Sequence, residues 1–139
     1  MSDDVKTGSC LCGEVAYEVT GPLRPVVNCH CLQCRKTTGH FMAATGAKLT
    51  NFTITEDKGL KWYRSSDTAR RGFCGTCGAT LFWQADGKDY VAITAGTVDG
   101  ETGLHTEGHI FCESAGDYYE IAGGDFQQDG GGHTVPTPE

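Results

Sequence analysis

Between residues 28 and 40 the chain reads NCHCLQCRKTTGH, which gathers Cys29, Cys31 and Cys34 with His30 and His40. Thiolates are soft anionic ligands, and a tetrahedral zinc takes four of them or their imidazole equivalents. In an extended segment Cys29 and Cys31 fall on one face and His30 on the other. A turn after Cys31 brings Cys34 round to the same point. Three thiolates from one segment leave one corner of a tetrahedron empty. That is the pattern of a catalytic zinc, whose fourth position takes water or substrate. His30, His40 and Cys112, with His109 near it, are the alternative occupants of that corner. Any of them would turn the site into a structural one.

The chain has eight cysteines, at 10, 12, 29, 31, 34, 74, 77 and 112. An even count raises the question of a disulfide framework. The N-terminal MSDDVKTGS carries no apolar segment of the secretory kind, so the expected location is the cytoplasm, where thiols stay reduced. Metal ligation is then the better reading of the clustering. Cys10 and Cys12 form C-x-C, and Cys74 and Cys77 form C-x-x-C, a complete set of four for a structural zinc. Gly75 and Gly78 ease the backbone of the second pair. A redox pair of the thioredoxin kind would need a helix opening at Cys74, whereas GATLFWQ reads as a strand. The spacings match neither common ferredoxin pattern of an iron–sulfur protein.

At 139 residues the chain fits one domain with a core of its own. Its 11 Lys and Arg against 18 Asp and Glu give a net charge of -7, which argues against a nucleic-acid partner. No apolar run approaches a membrane span. An anionic small molecule stays compatible, because cations cluster locally. Arg35 and Lys36 follow Cys34, and Arg70 and Arg71 precede Phe73-Cys74. They serve either as charge balance for the thiolates or as a grip on substrate carboxylates. No G-x-S-x-G, phosphate loop, Ser/His pair or carboxylate spacing points to other chemistry.

The elements that must position these groups are short. Residues 1–8 are polar and expected to fray. Glu14–Val19 alternates as a half-buried strand, and Gly21, Pro22 and Pro25 mark a turn. A turn or two of helix follows Cys34. Strands are expected in HFMAATGAKL, NFTITE, LKWYRSS, Ala79–Gln84, YVAITAG and HIFCE. The fold class is therefore mainly β, built of short antiparallel strands. One domain is expected over 1–122, with a flexible Gly, Gln and Pro-rich tail over 123–139. Small β domains often pair, so a homodimer is an expected state.

In order and context, GSCLCGEVAYEV, NCHCLQCRKTTGH, RRGFCGTCGATLF, ITAGTVDG and EGHIF resemble the motifs of the glutathione-dependent formaldehyde-activating enzyme family, which includes centromere protein V-type domains. The resemblance spans roughly residues 8–113. It implies a zinc-containing β-tent fold with two zinc sites. One is structural, on Cys10, Cys12, Cys74 and Cys77; the other is catalytic, on Cys29, Cys31 and Cys34, with an open position. It implies a zinc-dependent carbon–sulfur lyase that forms S-hydroxymethylglutathione from glutathione and formaldehyde, or catalyses a related reaction. A substrate thiol would take the open corner, His30 or His40 would supply the proton, and Arg35, Arg70 or Arg71 would hold the glutathione carboxylates. A non-catalytic thiol carrier and a zinc-stabilised interaction module are the competing readings. The chain departs from the family in offering Tyr118 and Tyr119 where members often carry a Trp, and in adding Cys112.

Overall fold

The computed structural model describes residues 5–130. Eleven strands, one α-helix and three short 3-10 turns make up the described residues. A small antiparallel sheet holds β1 (Val5–Ser9), β2 (Ala16–Thr20) and β5 (Phe52–Glu56), in the order β1-β2-β5. The larger sheet holds β3 (Val26–Cys29), β4 (Met42–Lys48), β6 (Leu60–Arg64), β7 (Ala69–Cys74), β8 (Thr80–Ala85), β9 (Tyr90–Thr94), β10 (Thr106–Ile110) and β11 (Phe126–Gln127). Its order is β11-β10-β3-β4-β9-β8-β7-β6. The mainly β architecture is as the sequence implied. The expected antiparallel pairing holds throughout except at β10, which runs parallel to both β3 and β11. No helix among the described residues is long and apolar enough to cross a membrane.

The main core lies between the two sheets. The alternation read in the sequence puts Tyr17 and Val19 of β2 inward, with Glu18 and Thr20 exposed. They meet Leu81, Phe82, Val91 and Ile93 of the large sheet. Phe82 is the hub: the rings of Tyr17 and Phe52 approach it edge-on at 5.5 and 5.3 Å, and Trp62 stacks on it at 6.0 Å. Edge-on pairs suit the ring quadrupoles and add to the burial energy.

The far face of the large sheet carries α1 (Leu32–Thr38). Gly39 closes this helix in the left-handed conformation (φ 84°), donating its N–H to the Arg35 carbonyl at 2.8 Å. Such a cap favours glycine. A second, smaller cluster of Cys34, Met42, Ala44 and Ala92 forms beneath it, with Trp83 against it. Odd and even positions thus serve different faces: Ala92 supports the helix, while Val91 and Ile93 belong to the main core.

Three further expectations change. Residues 5–8, part of the segment 1–8 expected to fray, belong to β1, which is in full register with β2 and further tied by the Asp99 N–H to the Thr7 carbonyl at 2.9 Å. Residues 1–4 lie outside the described residues. Of the expected tail, residues 126–127 pair with β10, and Phe111 and Cys112 donate their N–H groups to the carbonyls of Gly130 and Gln128. Residues 131–139 lie outside the described residues. Finally, HIFCE breaks at Phe111, which adopts a left-handed backbone (φ 54°), so Cys112 sits in a 3-10 turn rather than a strand.

The tightest approach between elements is at Gly8, where an added Cβ would lie 2.2 Å from the Tyr17 ring and 2.6 Å from the Thr97 carbonyl oxygen. Backbone cannot yield as a flexible side chain does. Gly8→Ala is therefore expected to destabilise the domain by roughly 1–3 kcal/mol, read as a lowered urea midpoint at fixed zinc. A midpoint equal to that of the parent would show that Tyr17 and the 3-10 turn at Thr97 can shift freely.

Candidate metal centres and the buried arginine

The first cluster is assembled from two knuckles 62 residues apart in sequence. One follows β1: Cys10 donates its N–H to the Val15 carbonyl at 2.9 Å, and the Val15 N–H returns to the Cys10 sulfur at 3.3 Å. The other ends β7: the Cys74 N–H bonds the Ala79 carbonyl at 2.9 Å, and the Cys77 N–H bonds the Cys74 sulfur at 3.4 Å. Gly13 (φ 86°) and Gly78 (φ 82°) supply the reversals that let each backbone fold over its own sulfur. Cys10, Cys12, Cys74 and Cys77 converge with all four sulfurs within 4.8 Å of one another. The pairing read from the sequence is the pairing in space.

Such crowding sets the protons against one another. Backbone N–H groups of Cys12 and Ala79 draw the Cys77 thiol down to about 6. The Glu14 N–H favours the Cys12 thiolate, but desolvation and the neighbouring thiols push Cys12 up to about 12. Four like groups this close cannot all ionise unless a cation is shared among them. A divalent metal with tetrahedral preference supplies that charge, and four thiolates are a donor set zinc accepts.

The second cluster comes from the end of β3 and the first turn of α1. Cys29 closes the strand, Cys31 is the N-cap residue of the helix, and Cys34 lies buried inside it. The Cys34 N–H donates to the Cys31 sulfur at 3.3 Å, the same knuckle bond seen at Cys74. The three sulfurs lie within 4.8 Å of one another. Among the described residues no His, Cys, Asp or Glu joins them as a fourth ligand. Proton affinities again split. Hydrogen bonds from Cys29 and Cys34 hold Cys31 down to about 2, while hydrogen bonds to Cys31 and Cys34, then burial, push Cys29 far above its ordinary value. This donor set also fits zinc, with one position left over.

The candidates for that position are accounted for elsewhere. His30 is 1% exposed and points away from its flanking cysteines; its Nδ1 meets the Tyr119 hydroxyl, and its Nε2 lies 3.0 Å from His109 Nδ1. His109 Nε2 faces the carbonyls of Ala122 and Gly123 at 3.1 Å. Carbonyls only accept, so His109 carries its proton on Nε2 and accepts on Nδ1. His30 therefore donates from Nε2, and the Tyr119 hydroxyl donates to His30 Nδ1. Burial, then His109 and His40, lowers the His30 basicity to about 4. His40 Nδ1 meets the Tyr118 hydroxyl at 2.6 Å. Cys112 is a free thiol outside both clusters.

The three arginines diverge. Arg70 and Arg71 are neighbours on β7 and so face opposite ways. Arg70 lies over the Trp62 ring at 3.8 Å and donates to the Gln84 amide oxygen at 2.9 Å. Arg71, 5% exposed, reaches under α1: its NH2 group lies 3.6 Å from the Cys34 sulfur and 3.4 Å from the Gln33 amide oxygen, and its NH1 group 3.7 Å from the Met42 sulfur. Arg35 is half-buried on α1, with a buried Nε that has no hydrogen-bond partner. Of the three, Arg71 alone touches a cysteine of the second cluster.

Sequence reading did not find Gln33 or Met42 as partners of Arg71, nor the His109–His30–Tyr119 chain. Its histidines come from separate strand ends and its tyrosine from a loop, and no spacing links them. Beside the cluster a cavity of about 370 Å³ opens between Thr37, Thr38, Phe41, Met42, Thr80 and Thr94. Thr38 donates to the Cys34 carbonyl at 2.7 Å, and Met42 packs on Cys34, so cavity and cluster share a wall.

Comparison with known proteins agrees with this geometry. An uncharacterized lyase of Schizosaccharomyces pombe is 27% identical over 117 residues, which is 83% of this chain and 84% of that protein. A crystal structure of a Rhodobacter sphaeroides protein shares 25% identity and superposes with a TM-score of 0.58, over 72% of this chain and 97% of that one. The family model for the glutathione-dependent formaldehyde-activating enzyme matches residues 5–114, which take in both cysteine clusters and Arg71, and the chain belongs to that family.

Proposed function

We propose that this chain is a zinc-dependent carbon–sulfur lyase acting on a thiol–aldehyde adduct, with glutathione and formaldehyde as the leading pair. Family membership and the lyase relative support a lyase-type function related to glutathione and formaldehyde. The observation that carries the finer reading is the three-cysteine cluster with no fourth protein ligand among the described residues. Cys10, Cys12, Cys74 and Cys77 would hold a structural zinc; Cys29, Cys31 and Cys34 would hold the working one. Zinc bound at the second cluster would keep a coordinating substrate thiol deprotonated.

The chain's own residues then have separate tasks. Cys29, Cys31 and Cys34 fix the point at which a substrate sulfur arrives. Met42, Ala44, Ala92 and Trp83 pack the protein side of the cluster and exclude water there. The neighbouring cavity gives the rest of the substrate room beside Met42 and Thr38. In the forward direction a sulfur–carbon bond forms at the aldehyde carbon, and the carbonyl oxygen takes the proton the thiol gave up. His40, hydrogen-bonded to Tyr118, is the stronger candidate to deliver it. His30 has both ring nitrogens engaged in the interior. Arg35, with its unpartnered Nε, is the candidate for a substrate carboxylate. A cytoplasmic site, where thiols stay reduced, belongs to the same reading.

Two measurements check it. Elemental analysis should give close to two zinc per chain. Cys34→Ser should lower this towards one and leave a folded protein, whereas Cys74→Ser should cost the fold itself, because the first cluster joins the two sheets. A Cys34→Ser protein that unfolds would argue for two structural sites. Exchange NMR of glutathione with formaldehyde should show catalysis above the spontaneous addition, lost in Cys34→Ser. Binding of glutathione without acceleration would favour a thiol carrier instead.

A further inference from the structure

A guanidinium buried to 95% normally lies against a carboxylate, and Arg71 does not. Its polar contacts are an amide oxygen, a thioether and the Cys34 sulfur, and its Nε has no hydrogen-bond partner. The one salt bridge among the described residues is Arg64–Asp86, far out on β6 and the turn after β8. A cation taken from water with no countercharge is costly to bury. The negative group beside Arg71 is the cysteine cluster.

Charge counting makes the fit quantitative. Three thiolates on a divalent cation sum to a single negative charge, and one guanidinium brings the sum to zero. Among the described residues no arginine hydrogen-bonds to the four-cysteine cluster, and its Cys12 is exposed to solvent that can screen it. The cluster with the missing ligand is the one given a buried cation.

We propose that Arg71 is a positioning residue of the three-cysteine centre. Its guanidinium is the fixed countercharge of the thiolate-bound cation, and Gln33 and Met42 hold it against Cys34. This replaces the expectation that Arg71 grips a substrate carboxylate, and it rests on the reading of Cys29, Cys31 and Cys34 as a metal centre. The consequence runs through the metal. Metal binding needs all three sulfurs as thiolates, and a guanidinium 3.6 Å from the Cys34 sulfur favours sulfur in that anionic form. Removing the charge should therefore weaken the second metal and spare the first.

The test is a zinc competition titration of the purified full chain against a chromophoric chelator, with no thiol present. Arg71→Met keeps the length of the side chain and removes its charge; Arg71→Lys keeps the charge and loses the fork. Arg71→Met should lower the affinity of the weaker zinc about tenfold or more, with the tighter zinc unchanged and the circular dichroism spectrum intact. Arg71→Lys should recover most of the loss, which a role in packing alone would not produce. If Arg71→Met binds both zinc ions as tightly as the parent chain, the proposal is overturned. If it instead raises the KM for glutathione but not for cysteamine, at unchanged zinc affinity, the carboxylate grip was right and the countercharge wrong. A parent chain that takes up only one zinc would overturn the metal reading beneath both.

Discussion

Four sulfurs from residues 10, 12, 74 and 77 must meet within 4.8 Å, and the meeting of the two sheets depends on this. The small sheet is also tied to the turn after β9, by the Asp99 N–H to the Thr7 carbonyl at 2.9 Å and by Tyr17 to Thr97 at 2.8 Å. Its apolar face presents Tyr17, Val19 and Phe52, which suffices to stick but not to set register. The knuckles do set it. Around them Gly59 donates to the Glu14 carbonyl at 3.0 Å, Gly75 to the Gly59 carbonyl at 2.7 Å, and Thr76 to the Glu14 carboxylate at 2.7 Å. Gly59 is itself pinned, since a Cβ there would lie 2.8 Å from the Cys74 sulfur. A ligand set that closes so long a loop also removes much of the freedom of the unfolded chain.

Strand β7 is where this constraint reaches the second centre. Cys74, its last residue, belongs to the first cluster; Arg71, three residues earlier, lies against the second. Because the strand alternates, these positions face opposite sides of the sheet. Gly72, between them, lets the Phe82 ring approach so closely that a Cβ would lie 2.9 Å from it. A shift of β7 along its own axis would therefore disturb the four-cysteine site, the Phe82 hub and the guanidinium together. The four-cysteine cluster and the Phe82 hub thus fix where the guanidinium meets Cys34.

Much of this was legible in the sequence because it is carried by local spacing. C-x-C, C-x-x-C and C-H-C-x-x-C specify knuckles within a few residues, and the alternation of Glu14–Val19 specifies a face. The short helix expected after Cys34 begins two residues before it, at Leu32, because Cys31 caps it. What could not be read was anything decided at a distance. Val5–Ser9 looks polar and loose, yet it is ordered by backbone bonds to β2 that have no sequence signature. Phe126–Gln127 sits in a glycine-rich stretch and pairs only because β10 offers an open edge. The adjacent arginines read alike as cations; strand parity sends one over Trp62 and the other beneath the helix.

The histidines show how far burial can overrule residue type. His30 stands between Cys29 and Cys31, the most suggestive place in the chain for an acid or a ligand. Yet the extended backbone turns it to the opposite face, where the Ala122 and Gly123 carbonyls fix the proton of His109 and thereby every proton down to Tyr119. A ring so committed is a strut: it holds the peptide between Cys29 and Cys31 at a set angle. The departure at Tyr118 and Tyr119 acquires a physical meaning from this. One tyrosine hydroxyl closes the His30 chain and the other meets His40, and the two rings lie 4.7 Å apart. The loop that carries these tyrosines is thus tied by one residue to the backbone between Cys29 and Cys31 and by the next to His40.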